Sequence, residues 1–387
     1  MKPSYNRFRR FCAFVSGAVF LLSGILKLMD PTGSAFIVKA WLDFLYMGFL
    51  SPVAVGIAEC LALVEAVLGA ALMSGVWRKV TAIASFVLMG FFTILTAVLA
   101  IANPVMDCGC FGEAVHLTHL QSLVKNVILC ALLCVAFFPF RDFGSPKPVK
   151  YVSFAISSLS VLVFALWSLI ALPMKDYTEF APGKILEASR SEDYVDLSEP
   201  VFVYEKDGQR KNFRLDNLPD SSWTFIDSKV IQDENSLRPV LSISDAGGEY
   251  CDSLAARGKV MVVSVFRKLH PHNAAGVREF VKRCSSAGYT PLILAGSYEN
   301  VPEDLRSLTR IADYKTLATF NRSNGGVTYC ADGQIVRKWS CNFRPDNEKL
   351  AQLLSEDATS LALESQSRGG LSLQGFLLYV FAVLLLL

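Results

Sequence analysis

Six stretches of this 387-residue chain are apolar enough, for long enough, to cross a lipid bilayer, and nothing else in it limits the fold so sharply. The hydrocarbon core of a bilayer takes about 20 apolar residues in a helix. It offers no water to backbone N–H and C=O groups, so each segment must satisfy its own. The runs lie at 11–28, 53–74, 80–102, 121–140, 151–173 and 371–387. Composition agrees, with 52% hydrophobic and only 19% charged residues and a mean hydropathy of +0.38. Soluble chains carry roughly a quarter charged residues. A formal net charge of +2 without a basic block excludes nucleic acid as a partner and leaves the lipid bilayer as the partner specified.

Short basic segments orient the spans. Lys2, Arg7, Arg9 and Arg10 precede the first run, Arg78 and Lys79 join the second to the third, and Arg141, Lys147 and Lys150 join the fourth to the fifth. Cytoplasmic loops are enriched in Lys and Arg, so all three segments predict a cytoplasmic N-terminus. No small-x-small cleavage site follows the first run, so it is expected to stay as an anchor. The expected organisation is a four-helix membrane domain over 1–145, a fifth transmembrane helix within 146–174, a soluble domain over 175–367 and a sixth transmembrane helix within 368–387. In a bacterial inner membrane this puts the 103–120 loop and the soluble domain in the periplasm, where disulfides persist.

That compartment gives meaning to M-D-C-G-C-F-G-E-A-V-H-L-T-H at 106–119. Cys108 and Cys110 flank one glycine, and a bridge closed across so short a spacing is strained. Strained disulfides tend to be labile or catalytic, which makes the pair a redox candidate. Cys108, Cys110, His116 and His119 also form a C-x-C-x5-H-x2-H set of the ligand types zinc and copper take. That spacing matches no established finger, and His119 is expected to begin the fourth helix. No metal or other cofactor is therefore assigned, although redox and metal readings both stay open for the loop. Cys130 and Cys134 share a helix face as a conceivable relay, but they, Cys12 and Cys60 read first as small hydrophobes. Glu59 and Glu65 are ionisable residues within the second span, six positions apart and so on different sides. Glu65, nearer mid-span, is the functional candidate.

The stretches S-G-I-L-K-L-M-D-P-T-G (23–33), V-E-A-V-L-G-A-A-L (64–72), D-C-G-C-F-G (107–112) and Lys125-Asn126 resemble the DoxX/MauE family of four-helix membrane proteins, and the Cys-Gly-Cys motif points to its methylamine utilisation branch. The resemblance covers under half of the chain. It implies electron transfer or disulfide formation in the maturation of methylamine dehydrogenase, although members also occur without that pathway. Carried over residue by residue, it implies roles for Cys108 and Cys110, and less directly for Glu65.

Beyond Met174 the chain turns polar. Alternation and turn residues predict a hairpin over 201–215 turning at Asp207-Gly208, a buried strand at 259–266, a helix at 274–284, a strand at 290–296, a helix near 302–312, a hairpin over 326–339 and a helix near 346–356. This α/β order resembles a thioredoxin-like domain, but a degenerate one. Where thioredoxins carry Cys-x-x-Cys, this chain reads F-R-K-L-H-P-H-N (266–273), and no proline precedes the final hairpin. His270 and His272 flank Pro271 there and read as a solvated loop. Cys251, Cys284, Cys330 and Cys341 allow several pairings. Cys330 is expected to pair with Ile335 across the hairpin, which leaves Cys330 and Cys341 out of register.

Three functions fit these features. The first is a membrane thiol–disulfide redox protein acting through Cys108 and Cys110, whose outer domain presents an envelope client or electron-transfer partner. The second is a non-enzymatic, membrane-anchored scaffold binding an envelope partner through the thioredoxin-like domain. The third, passage of a small solute or ion, rests on Glu59 and Glu65 alone.

Overall fold

A computed structural model describes residues 3–104, 108–138, 146–187, 200–206, 209–213, 218–219, 222–230 and 239–386; Lys2, Asp107, Arg141 and the Asp207-Gly208 turn lie outside them. The chain is a multi-pass membrane protein: among the described residues, six helices are long and apolar enough to cross a bilayer. These are α1 (Pro3–Met29), α3 (Ala54–Ser74), α4 (Arg78–Ala102), α5 (His119–Phe137), α6 (Pro148–Ser168) and α11 (Ala358–Leu386). They follow the six apolar runs, with three differences. A further helix, α2 (Pro31–Phe44), lies between the first two spans. It begins where the Asp30 side chain accepts from Gly33 N at 2.9 Å and Pro31 fills the first helical position. Helix α6 stops at Ser168 instead of reaching 173, in line with the bias against helix in the residue before a proline, here Pro173. Helix α11 starts at Ala358, well before the apolar run, and passes unbroken through Gly369-Gly370.

Helices α1 and α3 pack backbone to backbone. A Cβ on Gly24 would stand 2.6 Å from Ala66 N, and one on Gly17 2.7 Å from Gly69 O. Small residues at such a crossing let the helices approach closely, which drives association where lipid supplies no hydrophobic contrast. This contact determines where the end of α1 projects.

The remaining elements are β1 (Cys110–Glu113), β2 (Pro200–Lys206), β3 (Gln209–Phe213), β4 (Thr224–Val230), α7 (Ser253–Ala256), β5 (Lys259–Val265), α8 (Pro271–Ser286), β6 (Thr290–Ala295), β7 (Thr309–Ile311), α9 (Tyr314–Phe320), β8 (Gly326–Ala331), β9 (Gln334–Trp339) and α10 (Asn347–Ser355). Strands β2–β4 form a small antiparallel sheet in the order β3-β2-β4. The larger mixed sheet runs β7-β6-β5-β8-β9, with β5, β6 and β7 parallel and β8 and β9 antiparallel. The unbroken run V-M-V-V-S-V is what a strand buried on both faces requires. One apolar layer joins Val277 and Phe280 of α8 to Leu350 and Leu353 of α10; the other holds Leu317 and Phe320 of α9. The hairpin β8–β9 pairs Cys330 with Ile335, as the turn chemistry predicts. The expected helix near 302–312 is replaced by a 3-10 turn at Glu303–Leu308 and then strand β7, whose Thr309 hydroxyl caps back onto Leu305 O at 2.9 Å. The helix follows later, as α9, started by Asp313.

The α/β part sits on one end of the helical bundle. Arg322, just beyond α9, reaches Asp30 at the end of α1 (2.8 Å) and Glu113 of β1 (3.4 Å). Asn342 donates to Ile170 O at 3.1 Å, and Lys338 of β9 pairs with Asp176 at 2.6 Å. At the opposite end Arg9 Nε donates to Ala136 O (2.9 Å) and Lys150 Nζ to Leu384 O (3.3 Å).

If the α1–α3 contact fixes this arrangement, Gly24→Val should destabilise the purified protein by about 1–3 kcal/mol, the usual cost of overpacking. Gly56→Val, where a Cβ meets nothing within 4 Å, should be nearly neutral. Unfolding by added SDS distinguishes them, and equal midpoints would show that α1 and α3 do not pack this tightly.

Candidate functional site: the Cys108–Cys110 loop

The loop between α4 and α5 folds down onto the end of α1. Ser23 Oγ donates to the Cys110 carbonyl at 2.5 Å. Gly109 has a positive φ of 66°, and Ile37 of α2 occupies the place a Cβ would take, so this position accepts only glycine. Cys108 is buried, Cys110 half-buried, and neither is bridged.

Helix α5 begins at this loop for a local reason. In T-H-L-Q the Thr118 hydroxyl accepts from Gln121 N (3.2 Å), while Gln121 Oε1 accepts from Thr118 N (3.0 Å). This reciprocal cap fixes His119 in the first turn with its ring turned inward. Its Nε2 lies 3.0 Å from Pro104 O, and Nδ1 lies 3.5 Å from Cys108 Sγ. A carbonyl only accepts, so Nε2 carries the proton. Nδ1 therefore presents a lone pair to the Cys108 thiol.

The two sulfurs are electrostatically unequal. Cys110 is held well below the ordinary thiol range, at about 5, chiefly by the hydrogen bond from Cys108 and against the opposing effect of burial; Lys125 and Lys27 add positive charge. Cys108 is pushed up by donating that hydrogen bond and by burial. One proton is thus shared, with Cys110 as the thiolate and Cys108 as the thiol. Thiolates are the nucleophilic form of cysteine, so the arrangement can supply a half-buried nucleophile, a buried second thiol and a base facing that thiol. Lys125 Nζ stands 5.1 Å above the Phe111 ring, which keeps its charge beside the loop.

Glu65 has a partner. Its carboxylate takes Lys27 Nζ at 2.6 Å, both side chains being buried, and Lys27 also stands 5.0 Å over the Phe92 ring. Glu65 thus bears on the cysteines through Lys27 and not by contact. Glu59, on another side of α3, has a buried Oε1 that receives no hydrogen bond among the described residues.

The other candidates separate from this cluster. His116 is exposed, and among the described residues no three His, Cys, Asp or Glu side chains assemble as a metal site. Cys130 lies 3.7 Å from Thr93 Oγ1, and Cys134 is exposed. His270 caps α8 without a side-chain hydrogen bond to its backbone, and His272 is exposed. Cys284 and Cys330 lie in the two different apolar layers of the sheet, and burial pushes both thiols up to about 12. Sequence reasoning missed Lys27 and Arg322 and undervalued His119. The signals for His119 were the T-H-L-Q cap and a histidine at the head of a span.

No curated protein and no solved structure matches the chain. Residues 198–234, which hold the small β2–β4 sheet, match a family model described as a domain of unknown function, DUF8463. Residues 6–139 match the model described as methylamine utilisation protein MauE. The N-terminal part of the chain, α1 to α5 with the Cys108–Cys110 loop, is thus a MauE-like membrane unit.

Proposed function

We propose that this protein is a membrane thiol–disulfide redox protein that supports maturation of envelope proteins. The observation that carries the reading is the placement of Cys108 and Cys110 across Gly109, with His119 Nδ1 3.5 Å from Cys108 Sγ and Lys125 held over Phe111 beside the loop. In the reducing direction the Cys110 thiolate attacks a client disulfide, forming a Cys110–client disulfide and releasing one client thiolate. Cys108 then gives its proton to His119 Nδ1 and attacks the Cys110 sulfur. The Cys108–Cys110 disulfide forms, the second client thiolate leaves, and two electrons have passed to the client. The same steps in reverse oxidise a client dithiol. Glu65 holds Lys27 in place and so supports the thiolate.

In this reading the domain boundaries are those expected from the sequence, and the membrane is a bacterial inner membrane with the loop and the α/β domain on its periplasmic side. The α/β domain is proposed to be a thioredoxin-like fold, supported by the order β6-β5-β8-β9 with α8 following β5 and α10 following β9. With buried thiols raised to about 12 at Cys284 and Cys330 and no cysteine at 266–273, it offers a binding surface. That same observation favours the second reading, a scaffold without redox chemistry.

Three outcomes are expected. In intact membranes a maleimide should label Cys110 after reduction and not after oxidation, and the difference should vanish in the Cys108→Ser, Cys110→Ser double variant. Labelling indifferent to redox state would favour the scaffold. In a variant keeping only Cys108 and Cys110, alkylation of Cys110 should be level from pH 8 to 6 and fall as the pH drops through about 5, because the thiolate is then protonated. An ordinary thiol, near 8.5, would instead gain about tenfold in rate per pH unit over that range. Lys125→Met removes a stabilising cation and should move the fall to higher pH, whereas an unchanged profile would remove Lys125 from the site.

A further inference from the structure

A second site lies away from the cysteines, where the α/β domain meets the membrane. A cavity of about 210 Å³ opens between the chain leaving α6, the polar turn of α11 before its apolar stretch, and β9. Its charged lining is Lys175, Arg322, Arg337, Lys338 and Arg368 against Asp176. Four of the carboxylates nearby are engaged: Asp176 by Lys338 at 2.6 Å, Glu364 by Arg368 at 2.5 Å, and Asp30 and Glu113 by Arg322 at 2.8 and 3.4 Å. Lys175 and Arg337 make no ion pair among the described residues. Their charges lie instead over rings, Lys175 at 4.8 Å from the Tyr177 centroid and Arg337 at 5.7 Å from that of Trp339. Lys175 and Arg337 are thus the two cations of the lining without a carboxylate partner among the described residues.

The depth of the cavity is defined by the two helices that frame it. Helix α6 ends at Ser168, and the unbroken apolar part of α11 begins after Gln374. The lining residues 172–176 and 365–369 lie about one to three turns outside those points, at and just above the level of lipid headgroups. Gly369 packs directly against the Met174 backbone, where any Cβ would collide, and so closes one wall. Basic pockets at this depth attract anionic lipids.

We propose that this cavity binds the phosphodiester headgroup of an anionic phospholipid from the leaflet facing the α/β domain. The two unpaired cations, Lys175 and Arg337, complement the phosphodiester anion. A bound headgroup would bridge the membrane helices to β9, the strand that also carries the Lys338–Asp176 pair.

The test uses the full-length protein in a neutral detergent, with thermal unfolding followed as phosphatidylglycerol, phosphatidylcholine or inorganic phosphate is added. Phosphatidylglycerol should raise the midpoint at least tenfold more potently than phosphatidylcholine. The double variant Lys175→Gln, Arg337→Gln should lose roughly thirtyfold in apparent affinity and each single variant roughly fivefold. The single variants keep the test available if the double variant does not fold. Lys282→Gln, exposed on α8, serves as the control and should match the unaltered protein. Equal potency of the two lipids, or retained affinity in the variants, would overturn the proposal. A shift produced by inorganic phosphate at concentrations where phosphatidylglycerol has none would also overturn it, by assigning the cavity to a soluble anion.

Discussion

Lys27 and Glu65 are buried between apolar helices, a placement that either charge alone would make very costly. Each is the counter-ion of the other at 2.6 Å, and removing one partner of such a pair typically costs about 3–5 kcal/mol because the other charge is left uncompensated. The pair sits on the α1–α3 contact that Gly24 and Gly69 make possible, so it fixes the register of α1 as well as its distance. From that register follow two side chains of α1 and the residue just beyond it. Ser23 holds the Cys110 carbonyl, Lys27 adds positive charge beside Cys110, and Asp30 starts α2. Helix α2 in turn brings Ile37 over Gly109. The sulfur pair is thus positioned by a contact made within the bundle.

The same end of α1 couples the membrane unit to the α/β domain. Asp30 accepts Gly33 N with one oxygen and Arg322 with the other, so the residue that starts α2 also receives the domain. Arg322 lies over the Phe36 ring at 5.9 Å, and Phe36 meets Tyr314 edge-on at 6.1 Å. Through Glu113, three residues beyond Cys110, Arg322 also touches the strand that carries Cys110. A client bound to the domain would lie close to that residue. Buried ion pairs are weak evidence of stability; here Arg322 and Lys338 tie the domain to the membrane unit through Asp30, Glu113 and Asp176.

Much of this was legible in the sequence because bilayer constraints are local. A spanning helix must satisfy its own backbone within about 20 residues, so the apolar runs marked all six spans. Helix α2 escaped notice because 14 residues cannot span; its only marks were Asp30-Pro31 at cap and first position. The Cys-Gly-Cys loop announced itself by residue type, whereas its chemistry depends on partners the spacing does not show. His119 was read as a helix-end residue, although the Thr118–Gln121 cap that turns it inward is a sequence pattern. Glu65 was singled out without Lys27, 38 positions away in another span. Arg322 lies 292 positions from Asp30 and carries no local signal at all. The 302–312 stretch was misread because apolar spacing over so few residues does not separate a 3-10 turn and short strand from a helix.

The central claim is that Cys110 attacks and Cys108 resolves. The most direct measurement is to express Cys108→Ser and Cys110→Ser variants in the native membrane, trap thiols in acid, and compare adducts on gels without reductant. Cys108→Ser should accumulate protein–protein disulfides through Cys110 that disappear on adding dithiothreitol, because the resolving thiol is gone. Cys110→Ser should show few or none. Adducts that form through Cys108 instead, or equally in neither variant, would contradict the division of labour between the two sulfurs.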